Sequence, residues 1–237
     1  FWQMIGRGTR LLEPEKIKPW CTQKDNFLIL DCWDNFEYFK LNPRGKELKG
    51  QIPLPVRLFG VRLEKIEEAQ TQSNSEIVNK EVQKIRKQVE SLPKNSVVIM
   101  EAKHELQRLE DENFWSNLTA DKMEFLEAVV KPLFRTVSDV DFKAMRFEKD
   151  IVEVSLAYLK NDDSPYVKPF SIDDVILSKY ETLKASVIET IGELPLSINI
   201  VAREQELIRQ AQTNHYWSTI NEDKFEELIH KLSPLMK

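Results

Sequence analysis

The stretch Trp115–Phe134, WSNLTADKMEFLEAVVKPLF, decides the predicted fold because a variant of it returns 102 residues later. Its partner is Trp217–Met236, WSTINEDKFEELIHKLSPLM, and eight of the twenty aligned positions are identical. Apolar residues in both copies recur at intervals of three and four, which is typical of an amphipathic helix. A stretch that recurs with the same periodicity indicates an internal structural repeat.

The likeness between the two copies extends upstream of the tryptophans. Leu92–Pro93 pairs with Leu194–Pro195, and after a gap of one residue Ser96 pairs with Ser197. We expect each serine to be a helix N-cap, because its side-chain oxygen can accept a hydrogen bond from a backbone N–H of the first turn.

Each copy therefore predicts a unit of three helices, at about residues 76–134 and 172–236. Thr119 and Asn221 are the expected N-caps of the last helix in each unit. Two longer helices are also predicted, one at about 139–160 and one at about 172–191. The second of these follows the capping-box pattern of Ser171 and Asp174.

The composition favours a mainly α-helical protein. The 237 residues are 41% hydrophobic, which is enough for a substantial core, and 6 glycines are too few for a turn-rich β architecture. The net charge is -5; residues 1–55 hold 9 basic and 7 acidic side chains, which leaves 25 and 32 for residues 56–237. The acidic second part is a poor candidate for binding phosphate groups, which usually contact a clustered basic surface.

The first 55 residues have a different pattern. Residues 26–32, NFLILDC, are a short continuous apolar run of the kind found in strands of parallel sheets. Prolines and glycines then concentrate between Pro43 and Pro55, just before the helical periodicity begins. We place a domain boundary there, which separates residues 1–55 from an all-helical domain at 56–237.

The sequence contains no convincing metal site. Cys21 and Cys32 have no nearby histidine, and His104, His215 and His230 are scattered without the spacing of metal ligands. Two thiols in an ordinary chain suggest a reducing compartment, and no apolar run approaches the roughly 18 residues that span a bilayer. We expect a cytoplasmic protein without membrane contact.

The first residues carry the motif with the most specific chemistry. QMIGRGTR at Gln3–Arg10 matches motif VI of superfamily-two helicases, and DNFLILD at 25–31 and NFEYF at 35–39 follow it. Together with KAMRF at 143–147, these segments resemble the C-terminal part of the restriction (R) subunit of a type I restriction enzyme. The resemblance implies that residues 1–55 are the C-terminal edge of a RecA-like α/β lobe, with about one strand, in front of a helical domain.

Members of this family are ATP-driven DNA translocases and endonucleases, so the resemblance implies an ATP site at the motif. Arg10 would be the catalytic finger on the γ-phosphate, where an arginine accelerates phosphoryl transfer by about 10³ to 10⁵. Arg7 would support it, Gln3 would contact the nucleotide, and Gly6 would allow close approach of the backbone. The sequence has no phosphate loop and no Asp-Glu box, so ATP and Mg²⁺ belong to the parent enzyme. We expect the chain to be a fragment that is inactive by itself.

The same resemblance implies partners for the helical domain. In this family it docks the R subunit onto the methylation and specificity subunits, and DNA binds through the parent motor. One alternative is that residues 56–237 are an interaction module of another superfamily-two protein without restriction partners. A stand-alone DNA-binding domain is a third possibility, which the acidic balance disfavours.

Two features suggest further functions, but comparison of the two repeat copies argues against both. Residues 97–103, VVIMEAK, have the form of a nuclease metal-binding strand, but the partner stretch lacks Glu-x-Lys. We therefore expect Glu101 and Lys103 on a solvated helix face. Trp115 and Trp217 could stack on nucleobases, but their recurrence in two acidic helical units favours a packing role.

Overall fold

The computed structural model describes residues 52–138, 140–166 and 177–236. They belong to one compact unit, Ile52–Lys237. This part of the chain is mainly α-helical, so the predicted fold class is confirmed at that level. The predicted strand at 26–32 and the capping box of Ser171 and Asp174 lie outside the described residues.

The described chain begins with a helical hairpin. Helix α1, Leu54–Thr71, starts behind Pro53 and has a proline in its first turn, where a missing N–H removes no helical hydrogen bond. Ser73 adopts a φ of 56° in the tight turn that follows. The side chain of Asn74 accepts a hydrogen bond from the backbone N–H of Ile77 and so caps helix α2, Ser75–Glu90. The helical periodicity predicted to begin after Pro55 is confirmed here.

A series of short helical segments follows α2. Thr119 occupies an N-cap position, as predicted, but its side chain accepts no capping hydrogen bond. The helical segment that follows Thr119 is irregular. Its backbone hydrogen bonds change to the π-helical pattern just before Pro132, which has no N–H to donate. The segments are α3 Val97–Glu101, α4 Lys103–Leu106, a 3-10 turn Gln107–Glu110, α5 Glu112–Ser116, α6 Ala120–Phe125, a π segment Leu126–Val130, α7 Lys131–Leu133 and a 3-10 turn Phe134–Thr136.

Helix α8, Phe142–Leu159, is the central helix of the unit and agrees with the helix predicted at about 139–160. Asp141 caps it, because its carboxylate accepts hydrogen bonds from two backbone N–H groups of the first turn. The helix packs against α1 and against two later helices, α9, Lys179–Gly192, and α13, Glu222–Leu232.

A short hairpin joins α8 to α9. Strand β1, Pro165–Tyr166, pairs antiparallel with β2, Leu177–Ser178, which brings the end of α8 beside the start of α9. The predicted start of this helix near residue 172 is wrong. Residues 177–178 are extended, and the Ser178 side chain caps the helix by accepting a hydrogen bond from the backbone N–H of Glu181.

A second series of short helices ends the unit. Asn221 caps its last helix by accepting a hydrogen bond from the backbone N–H of Lys224, as predicted. The N-cap prediction for Ser197 is wrong, because Ile198 holds that position, and Ser96 holds the equivalent position without a side-chain hydrogen bond. The segments are α10 Asn199–Ala202, α11 Gln205–Ala211, α12 Asn214–Ser218, α13 Glu222–Leu232 and a 3-10 turn Ser233–Leu235.

Two hydrophobic clusters form the core. The first is built from residues between Val56 and Phe134, and the second from residues between Phe147 and Met236. We call these parts of the unit the first half and the second half. Fully burying one large apolar side chain contributes about 1.5–3 kcal/mol, so each cluster is a substantial source of stability. Among the described residues, none of the helices combines the length and the hydrophobicity that crossing a membrane requires.

Candidate functional site

The residues predicted to contact ATP, namely Gln3, Gly6, Arg7 and Arg10, lie outside the described part of the chain. Their role therefore rests on the sequence motif. The described part has three other candidate sites: one buried cluster of charges and two surface grooves.

The stretch VVIMEAK does not form a strand. Val97–Glu101 is helical, and both Glu101 and Lys103 are exposed to solvent. The extended backbone of a nuclease metal-binding strand is therefore missing from this stretch, and the prediction of a solvated helix face is confirmed.

The three histidines are exposed and lie on different helices, His104 on α4, His215 on α12 and His230 on α13. Among the described residues, no group of potential metal ligands includes a histidine. Their positions give no reason to assign them a catalytic role.

The two tryptophans are buried, with Trp115 and Trp217 only 7% and 4% exposed. The indole N–H of Trp115 donates to the carbonyl of Leu109 at 2.9 Å, and that of Trp217 donates to the carbonyl of Ala211 at 2.7 Å. Each carbonyl belongs to the residue six positions upstream. Since neither ring has a free face, the tryptophans cannot stack on nucleobases, and the predicted packing role is confirmed.

A cluster of charged side chains is buried where helices α1, α2, α8 and α13 meet. Arg62, Lys65 and Glu81 form its centre, and each is at most 2% exposed. Arg62 donates to Glu81 at 2.5 Å and also to Glu148, and Lys65 donates to Glu81 at 3.1 Å and to Glu222 at 2.6 Å. We call these five residues the buried charge cluster.

The cluster keeps Glu81 ionised. Burial by itself raises the pKa of this carboxyl group, but the positive charges of Arg62, Lys65 and Lys84 outweigh burial and lower the pKa to about 2. Burial by itself lowers the pKa of Arg62, and the carboxylates of Glu81 and Glu148 reverse that effect and raise it. The cluster is thus a set of mutually compensated charges that connects α1 to both halves of the unit.

Three carboxylates near the cluster resemble a cation site. Oxygen atoms of Glu81, Glu222 and Glu226 lie within 4.8 Å of one another, and oxygen ligands of this kind suit Mg²⁺ or Ca²⁺. However, Lys65 is 2.6 Å from Glu222, and Lys84 contacts both Glu226 and Glu81. Because lysine ammonium groups already neutralise these carboxylates, we assign no metal ion to them.

The first half has a surface groove of about 540 Å³ beside helix α3. Buried Leu92, Ile99 and Trp115 line it, together with the exposed Met100 of α3. Helix α3 exposes three apolar side chains, Val97, Val98 and Met100, which are 48–64% exposed.

The second half has a similar groove of about 610 Å³ beside helix α10. Buried Leu194 and Val201 line it, and the apolar side chains of Leu196, Ile198 and Ile200 are 40–59% exposed. Single exposed apolar residues are common on protein surfaces. Two groups of three, each on or just before a short helix that helps to line a groove, instead indicate candidate binding surfaces.

Comparison with known proteins identifies no family for this chain. No family model matches the sequence, and no curated protein or solved structure matches it. A function must therefore be argued from the sequence motif and from the geometry of the described residues.

Proposed function

We propose that residues 52–236 form a protein-docking domain. The observation that carries this proposal is the pair of short helices, α3 and α10, which expose apolar side chains beside two grooves. Exposed apolar groups of this kind lose their unfavourable hydration when a partner covers them. The acidic balance of residues 56–237 disfavours DNA as that partner.

We further propose that the chain is the C-terminal part of the R subunit of a type I restriction enzyme. The motif at Gln3–Arg10 and the segments behind it support this assignment, as does the mainly helical structure of the domain. Residues 1–55 are then the edge of a RecA-like lobe, in which Arg10 and Arg7 act on ATP and Gln3 and Gly6 help to bind it. The helical domain docks the subunit onto the methylation and specificity subunits.

We also propose that the helical domain arose from a duplicated three-helix unit, at about residues 76–134 and 172–236. The identical hydrogen bonds of Trp115 and Trp217 support this proposal, since each indole donates to a carbonyl six residues upstream. The N-caps of α3 and α10 lie 102 residues apart, which is also the spacing of the tryptophans. Duplication explains why one domain has two similar apolar surfaces.

The second candidate function is an interaction module of a superfamily-two protein that has no restriction partners. The exposed helices support it equally well, because they indicate a partner without identifying it. The two candidates differ in the rest of the parent protein, where a nuclease signature and a phosphate loop are expected for restriction.

The docking proposal is tested by deleting residues 56–237 from the parent subunit. The truncated subunit should still bind ATP but should no longer copurify with the methyltransferase core, meaning the methylation and specificity subunits. Normal assembly after the deletion would contradict docking by this domain.

The motor assignment is tested separately by Arg10→Ala in the same subunit. This variant should assemble normally and bind ATP, but its ATP hydrolysis should be lost because the arginine no longer stabilises the γ-phosphate charge. Undiminished ATP turnover would show that the motif is not the one it resembles.

A further inference from the structure

The second groove separates positive from negative charge. Lys143 and Arg146 line it from the first two turns of α8, and Glu189 and Glu193 line it from the end of α9. All four side chains are exposed. In the part of the chain that the structure describes, none of the four forms an ion pair. Asp150 of α8 also lines the groove, but its carboxylate is paired with Lys149 at 2.7 Å. The unpaired charges therefore form one basic wall and one acidic wall, both open to solvent.

These four charges lie at helix ends where they do not stabilise the helices. A helix N-terminus favours negative charge and a C-terminus favours positive charge. Beyond its cap Asp141, α8 has no acidic residue in its first turn, and α9 has no basic residue in its last turn. Helix α13 shows the favourable arrangement, with Glu222 and Asp223 at its start and Lys231 at its end. Stability of the fold thus does not explain the charges of the groove.

Apolar side chains lie between the two charged walls. Ile198 and Ile200 are 49% and 59% exposed, and Leu235 and Met236 also line the groove. An amphipathic helix has the complementary chemistry, because its apolar face can cover the floor while the residues on its flanks face the walls.

We propose that the second groove binds an amphipathic helix of the docking partner, with acidic residues facing Lys143 and Arg146 and basic residues facing Glu189 and Glu193. This inference rests on the proposed docking function and assigns that function to one surface. The first groove lacks such separated walls, since Arg86 and Glu90 line it together and pair with each other at 3.2 Å. The two halves are therefore not equivalent in binding.

The test is the charge-reversed variant K143E/R146E of the whole chain, with the methyltransferase core as the probe. Its affinity for the core, measured by isothermal titration calorimetry, should fall at least about tenfold because like charges then face each other. Its melting temperature should rise slightly, by about 1 to 2 °C, because the reversal at Lys143 suits the first turn of α8, while the reversal at Arg146, one turn further on and four residues before Asp150, offsets part of that gain. If the variant binds the core more weakly although it melts at a higher temperature, unfolding cannot explain its loss of affinity.

A second pair of variants tests the apolar floor. Ile200→Asp, in the second groove, should weaken binding to the core at least about tenfold, since a carboxylate would have to be desolvated on the floor. Leu177→Asp is the control on β2, at the start of α9 and outside both grooves, where the altered side chain is 42% exposed. Its affinity should remain within about twofold of that of the unaltered chain, because surface changes outside a binding site have small effects.

The outcomes separate this inference from the function on which it rests. If the unaltered chain does not bind the core, the proposed function is contradicted, and this inference with it. If the unaltered chain binds and the groove variants bind equally well, only the inference is contradicted. If the unaltered chain instead forms dimers that K143E/R146E abolishes, a second copy of the chain occupies the groove and the partner helix is refuted.

Discussion

Replacing Glu81 with glutamine should be among the most damaging single changes in the described part of the chain. The substitution preserves the size of the side chain but removes the charge that compensates Arg62 and Lys65, which are 2% and 1% exposed. Removing one partner of a buried ion pair costs about 3–5 kcal/mol, because the remaining charge is buried without compensation. Since Glu148 and Glu222 still contact the two cations, we expect the lower end of this range, about 3 kcal/mol.

The pKa of Glu81 indicates a similar magnitude and adds a dependence on pH. The difference between the ordinary pKa of 4.5 and the folded-state pKa of about 2 corresponds to about 3 kcal/mol. Because the pKa is lower in the folded state, this stabilisation is complete above pH 4.5 and is lost as the pH falls through about 2. The stability gap between the unaltered protein and the Glu81→Gln variant should therefore narrow in acid.

Urea denaturation followed by far-UV circular dichroism, at pH 7 and in steps down to about pH 3, measures this gap. Glu76→Gln is the matched control on the same helix, because the side chain of Glu76 is 71% exposed. Its partner Lys80 also contacts Asp223, so the substitution leaves no cation without a partner. We expect the control to lose less than about 1 kcal/mol. If Glu81→Gln lowered the free energy of unfolding by less than about 1 kcal/mol at pH 7, the reasoning would be refuted. It would also be refuted if the difference in stability between the two proteins stayed constant as the pH falls.

Three further predictions concern single hydrogen bonds and backbone positions. Trp115→Phe and Trp217→Phe should each lower the free energy of unfolding by about 1–2 kcal/mol in urea titrations, since each removes one buried hydrogen bond; a variant as stable as the unaltered protein would contradict this. Asn221→Ala should cost about 1 kcal/mol, and Thr119→Ala a few tenths, because only Asn221 makes a capping hydrogen bond; equal losses in thermal melts would argue against that difference. Gly192→Ala should stabilise the protein by about 0.5–1 kcal/mol in differential scanning calorimetry, because an added Cβ meets nothing within 4 Å; destabilisation would show that the helix end needs glycine.

The long helices could be predicted from the sequence because their signals are local. Apolar periodicity defines α1, α2 and α8, and Asn74 and Asp141 supply caps at the starts of the last two. The start of α9 could not be predicted in this way, since Ser171 and Ser178 both stand where a cap is plausible. The pairing of β2 with β1 keeps residues 177–178 extended, and a contact between separate segments is not visible in a local pattern.

The buried charge cluster was not predicted, although the sequence contains one signal for it. Arg62 lies three residues after buried Phe59, and Lys65 lies four residues before buried Ala69, so both share a face of α1 with buried apolar residues. Charged residues on an apolar face require buried partners. Those partners lie 16 to 157 residues away along the chain. Only the packing of four helices brings them together, so periodicity could suggest that partners exist but could not identify them.

The charged walls of the second groove illustrate the same limit. Lys143 and Glu189 each look like ordinary surface residues in their own helices. The hairpin makes α8 and α9 pack antiparallel, so that the start of α8 and the end of α9 line one groove, and only then does the separation of charge become apparent.

The central claim is that the helical domain binds a protein partner. Sedimentation velocity of the whole chain, mixed either with the methyltransferase core or with a DNA duplex at physiological salt, tests it most directly. We predict that the chain sediments as a complex with the core and separately from the DNA, because its exposed apolar helices need a protein partner and its acidic domain repels phosphate. A complex with DNA that weakens steeply as salt increases, together with no complex with the core, would contradict the account.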